Sequence, residues 1–209
     1  MTDRTTARPF TYSVHPSVAM WRAMIDNLRQ RTGRSADEWA TLARAEGPPT
    51  ELARRAWLKS AHGLGINVAH MIAARAEGRE WEAGDADAYL AEAARYVEAM
   101  YAGPRAALRP LHDELLATAF ALGPDVRASP CKTMVPVYRR HVFAQHKPST
   151  RTRIDLGLAL GDTPAVGRLA ATGGLAKGDR ITHRIALGAL AELDDEVRSW
   201  VRAAHERDA

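Results

Sequence analysis

The apolar residues of this chain change their spacing once, at Gly123-Pro124, and that change calls for a mixed architecture. Upstream they recur every three or four residues, as on the buried face of an α-helix. Downstream, Ile154, Leu156, Leu158 and Leu160 alternate with Asp155, Gly157 and Ala159, which is the period of a half-buried strand. Ile181, Ile185 and Leu187 alternate similarly around Thr182, Arg184 and Ala186, while Val135, Val137 and the run Val142 to His146 are weaker strand candidates. The chain closes on a helical stripe of Leu193, Val197, Trp200, Val201 and Ala204. Helices, a meander of four or five strands and a last helix define an α+β class with a mostly antiparallel sheet.

The first half predicts a small all-helical bundle. Val18, Trp21, Ile25 and Leu28 share one face, and Gly33 stands where a left-handed C-terminal residue ends such a helix. Ser35-Ala36-Asp37-Glu38 has the spacing of a capping box, which starts a second helix that stops before Gly47-Pro48-Pro49. Thr50 caps a third helix ending at His62-Gly63, and a fourth runs from about Asn67 to Glu77, with Trp21, Trp39 and Trp57 as anchors. Residues 1–15 lack periodicity and read as a flexible tail, and 78–86 read as a linker. Two longer helices follow: one has the stripe Leu90, Ala94, Val97, Tyr101, and the next places Pro104 at its first position before Leu108, Leu111, Leu115 and Leu122. The expected organisation is therefore a tail over 1–15, a helical domain over 16–78 and an α+β domain over 87–207.

Composition narrows the function classes. The longest apolar stretch, Leu115 to Leu122, contains Thr118 and is far too short to span a bilayer. No apolar segment follows Met1, so a cytoplasmic protein without a membrane partner is expected. The single cysteine, Cys131, excludes an intramolecular disulfide and a cysteine-based zinc cluster. The formal net charge of +4 conceals blocks: residues 126–190 carry 11 Lys+Arg against 3 Asp+Glu, whereas 81–125 carry 3 against 8. A clustered excess of cations attracts anions, unless acidic segments neutralise it within the molecule.

Two constellations draw attention. Tyr138, Arg139, Arg140, His141, Lys147, Arg151 and Arg153 form a run without an acid before Asp155, and Lys147-Pro148-Ser149-Thr150 reads as a turn that gathers these cations at one end of the sheet. Guanidinium forks suit phosphate or carboxylate. On the neighbouring strand Arg184 belongs with them, while His183 shares the apolar face of Ile181 and Ile185. Arg153 points away from the apolar face, towards small residues at 157 and 159, so a covering element or a ligand is expected there. The second constellation is Gly63-Leu64-Gly65 with Lys59, similar to a helix-hairpin-helix turn whose following amides face a phosphate. It departs from that pattern in having Ile66-Asn67-Val68 where a basic residue usually stands. Walker, nucleophile-elbow, zincin and dinucleotide-binding motifs are absent, so no cofactor, metal site or catalytic residue is assigned.

Residues near 17–77, with Trp57-Leu58-Lys59 leading into His62-Gly63-Leu64-Gly65 and Ala69, resemble a small bacterial helical domain of unknown function. Residues near 88–206 resemble a second such domain, through Tyr138, Val142-Phe143-Ala144, Lys147-Pro148, Arg153 to Leu160, Thr182-His183-Arg184-Ile185 and Glu196 to Trp200. The resemblance implies an architecture and no activity. The sheet pattern is also similar, more loosely, to small α+β proteins proposed as metal or ligand carriers. Three readings stay open. The first is a non-catalytic module for a phosphate-bearing partner such as nucleic acid. The second is a small-molecule binder or enzyme with a pocket lined by Tyr138, His141, Arg153, His183 and Arg184. The third is an assembly protein that forms a homodimer through the helical domain.

Overall fold

A computed structural model describes residues 10–78 and 86–209. They divide into two compact units, Val14–Leu90 and Ala91–Ala209 with the residues preceding Val14. The expected linker lies almost entirely outside the described residues, as do the first nine residues of the expected tail. Phe10 to Ser13 pack on the second unit, where Phe10 stacks on Phe120 at 5.8 Å and the Ser13 amide donates to Ala128 O.

The helical unit contains α1 (Pro16–Asp26), α2 (Leu28–Thr32), α3 (Ala36–Ala45), α4 (Glu51–Ser60) and α5 (Ile66–Ala76). The first helix of the sequence reading is two. Asn27 interrupts it, turning its side-chain amide back onto Ala23 O at 2.8 Å, a local bond that competes with helix continuation. Gly33 then ends α2 at φ +79°, and the capping box forms in full, the Ser35 hydroxyl accepting from the Glu38 amide while Glu38 accepts from the Ser35 amide. Leu28, Trp39, Leu58, Leu64 and Ile72 make the core, with Trp21 and Trp57 packed on its border.

Helix α6 (Ala86–Met100) begins before the Leu90 boundary and continues into the second unit, where a 3-10 turn (Gly103–Leu108) and α7 (Arg109–Phe120) precede the sheet. The strands are β1 (Arg127–Ala128), β2 (Val135–Tyr138), β3 (Val142–Pro148), β4 (Ile154–Leu158), β5 (Ala170–Ala171) and β6 (His183–Leu187). They lie antiparallel in the order β1-β2-β3-β4-β6-β5, and α8 (Asp195–Glu206) follows. The protein is thus α+β. The buried stripe of α6 is Tyr89, Ala93, Tyr96, Val97 and Met100, about one position from the expected Leu90, Ala94, Val97 and Tyr101; Ala94 is exposed, and the shift buries the rings of Tyr89 and Tyr96.

Register assigns the two faces of the sheet. His146 opposes Leu156, which opposes Ile185, so these share the core face that α7 and α8 cover. Lys147, Asp155 and Ala186 align on the other face, next to Gln145, Gly157 and Arg184. Over Gly157 that outer face is closed by Ile181 and Gln145, since a Cβ there would stand 2.7 Å from Ile181 Cγ2 and 3.1 Å from Gln145 Cγ. The small residue expected to leave room for a helix or ligand instead seats a neighbouring side chain.

Candidate functional site

Acids from the flanking blocks return to much of the basic run. Arg139 donates to Asp125 at 2.7 Å. The amides of Arg140 and His141 donate to Asp208 Oδ2 at 3.0 and 2.8 Å, His141 Nδ1 lies 3.0 Å from Oδ1, and Arg180 donates to the same oxygen. Burial opposes ionisation of Asp208, but hydrogen bonds from His141 and the Arg180 charge outweigh it and hold its carboxyl below the ordinary value. Tyr138 is half-buried, and burial pushes its phenol up to about 12. Arg151 is exposed in the β3–β4 turn.

Arg153 and Arg184 do meet, but around a carboxylate of the chain itself. Arg153 Nε lies 3.0 Å from Asp155 Oδ1, and Arg184 donates to Oδ2 at 3.2 Å. The expected two-guanidinium floor is already occupied. His183 is buried on the core face, where Nδ1 is 2.9 Å from Thr182 Oγ1, and so does not join the pocket with Tyr138, His141, Arg153 and Arg184.

A different cleft, of about 470 Å³, opens at the end of the sheet. Three segments line it: Ala99, Met100 and Arg105 of the helical corner, Lys132 and Thr133 before β2, and Lys147 to Ser149 with Asp155 at the β3–β4 end. The β2–β3 register, Val135 opposite His146, puts Lys132 and Lys147 at one end of the sheet. Lys132, Thr133 and Lys147 are exposed, whereas Ser149 Oγ is enclosed and makes no hydrogen bond among the described residues. Of the residues named from sequence, this cleft takes Lys147. Arg105 was hidden in an acidic block, and Lys132 and Thr133 lay outside the run; only folding brings the three segments together.

Sequence reasoning also missed a buried polar pair. His112 of α7 and His146 of β3 share a 2.7 Å hydrogen bond while 0% and 2% exposed. Burial lowers both imidazole pKa values, so the pair is held neutral. The Tyr101 ring packs 4.6 Å from His112, and burial likewise raises its phenol. His112 sits on the Leu108, Leu111, Leu115 stripe, a signal in the sequence that passed as one polar residue in an apolar face.

In the helical unit the Gly63-Leu64-Gly65 turn serves packing. Gly63 adopts φ +65°, Leu64 enters the core, and Gly65 precedes α5. His62 wedges edge-on between Trp39 and Trp57, at 5.1 and 4.4 Å. Lys59 is exposed on α4, its carbonyl accepting from the Gly63 amide. The positive φ explains Gly63 without a ligand, whereas Gly65 has φ −63° and open space where a Cβ would stand, so the reversal does not require glycine there. Among the described residues, no three His, Cys, Asp or Glu side chains are grouped to hold a metal, and no helix is long and apolar enough to cross a membrane.

Residues 97–207 match a domain of unknown function, DUF5655, and residues 21–78 match a second, DUF4287. No curated protein and no solved structure matches the chain.

Proposed function

This chain belongs to the DUF5655 family, of unknown function, and we propose that its α+β unit binds a small phosphate-bearing ligand in the cleft at the end of the sheet. One observation carries the reading: Arg105, Lys132 and Lys147 reach a single concavity from three separate parts of the chain. A concave wall concentrates the field of clustered cations, which outnumber the one carboxylate lining the cleft, that of Asp155. The Thr133 hydroxyl adds a donor that a phosphate oxygen accepts. The volume suits a small molecule better than a polymer groove. The cation excess over residues 126–190 would also draw nucleic acid, and that reading predicts affinity for a strand rather than for a single phosphate group.

Titration calorimetry with inorganic phosphate and glycerol 3-phosphate at low ionic strength tests the cleft. Lys132→Ala and Lys147→Ala should each weaken binding roughly tenfold, the worth of one charge-assisted contact. Absence of heat up to roughly 10 mM ligand, or affinities that both substitutions leave unchanged, would overturn the reading.

A further inference from the structure

We propose that the ligand of the cleft carries a diphosphate, with one phosphate group over Arg105, Lys132 and Lys147 and the second held at the rim by Arg151; this rests on the cleft being the ligand site. The positive charge here exceeds what one phosphate group balances, since such a group carries about two negative charges near neutral pH. Three cations line the cleft. Its one carboxylate, that of Asp155, is shared by the two guanidinium groups of Arg153 and Arg184, so that wall is also net positive. Other arginines of the second unit are neutralised internally: Arg109, Arg139, Arg168, Arg180 and Arg198 each meet a carboxylate. Arg105, Lys147 and Arg151 meet none among the described residues.

Arg151 stands at the apex of the β3–β4 turn, whose first strand end, Lys147 to Ser149, lines the cleft. The turn is tied at its base, the amides of Ser149 and Thr150 donating to Arg153 O at 3.0 and 3.3 Å, and within it the Thr152 amide donates to Thr150 Oγ1. Two residues span at most about 7 Å of chain, so the Arg151 backbone lies within an arginine side chain's reach of the cleft edge. Its side chain is exposed and has no internal anion to leave. A guanidinium group offers phosphate oxygens a planar pair of donors. A single phosphate group seated on the lining cations leaves that fork unmet, whereas a second group, one bridging oxygen away, gives it an acceptor.

The test is calorimetric titration of pyrophosphate and of inorganic phosphate into the full chain, Arg151→Ala and Lys177→Ala. Lys177 is an exposed cation that precedes β6, whose first residue pairs with Leu158 at the end of β4 away from the cleft, so its removal costs the same charge elsewhere. Pyrophosphate should bind the parent chain at least about tenfold more tightly than phosphate. Arg151→Ala should weaken pyrophosphate roughly tenfold, as for one charge-assisted contact, and phosphate by less than about threefold. Lys177→Ala should leave both affinities within about twofold of the parent. Equal binding of the two anions by the parent chain, or a pyrophosphate affinity that Arg151→Ala leaves unchanged or that Lys177→Ala lowers as much, would overturn the diphosphate assignment while leaving the cleft intact. If neither anion binds, the cleft reading fails and this assignment fails with it.

Discussion

Asp208, its side chain only 2% exposed, accepts from the amides of Arg140 and His141, from the His141 ring and from Arg180. A carboxylate removed from water in this way is stable only because several donors replace its hydration. Asp208→Ala would leave two amides and a guanidinium without their acceptor. We expect it to cost about 2–4 kcal/mol, read as a lowered urea midpoint with little change in slope. Arg153 differs in kind. It is 42% exposed, and its pairing with Asp155 is shared by Arg184, so its contact adds less than about 1 kcal/mol. Arg140 and Arg153 both stood out in the sequence for their charge. What separates them is the burial of the acid each one meets, and the acid comes from a distant part of the chain in one case and from two residues away in the other.

At the scale of elements, the His112–His146 hydrogen bond joins α7 to β3 through the core of the second unit. Burial lowers the pKa of both rings in the folded state, whereas in the unfolded chain each titrates near 6.5. Above about pH 6.5 neither state binds these protons and the pair adds no pH dependence. As pH falls below that value the unfolded state takes up protons that the folded state refuses, so stability declines. For two such groups the slope approaches roughly 2.7 kcal/mol per pH unit. Urea midpoints measured between pH 6.5 and 5 should therefore fall steeply in the parent chain. The double substitution His112→Leu with His146→Leu should flatten that decline, and an unchanged slope would place the acid sensitivity elsewhere. Local signals behaved differently along the chain. The Ser35 capping box and the Gly33 terminus were legible because their hydrogen bonds close within a few residues. The facing of α6 was not, because tertiary packing against tyrosines decided which of two adjacent stripes is buried.

For the whole molecule, the +4 net charge says less than the pairing of its blocks. Asp125, Asp194, Glu196 and Asp208, from the flanking blocks, hold Arg139, Arg168 and Arg180 of the basic block. Those internal pairs compete with an external backbone of phosphates. A mixed-sequence 20-base-pair duplex should consequently bind with a Kd above about 100 µM at roughly 150 mM salt, weaker than ordinary non-specific DNA binders. Fluorescence anisotropy decides this, and a tighter, steeply salt-dependent isotherm would favour the nucleic-acid reading over the small ligand. The change of period at Gly123-Pro124, the caps and the strand alternation are properties of neighbouring residues, and from them the sequence alone determined the α+β class and the order of its main elements. Which cations face a common cleft, which are neutralised, and that His112 and His146 touch across 34 positions depend on strand register and helix facing. Those are set by packing summed over the whole core, so only the tertiary structure could decide them.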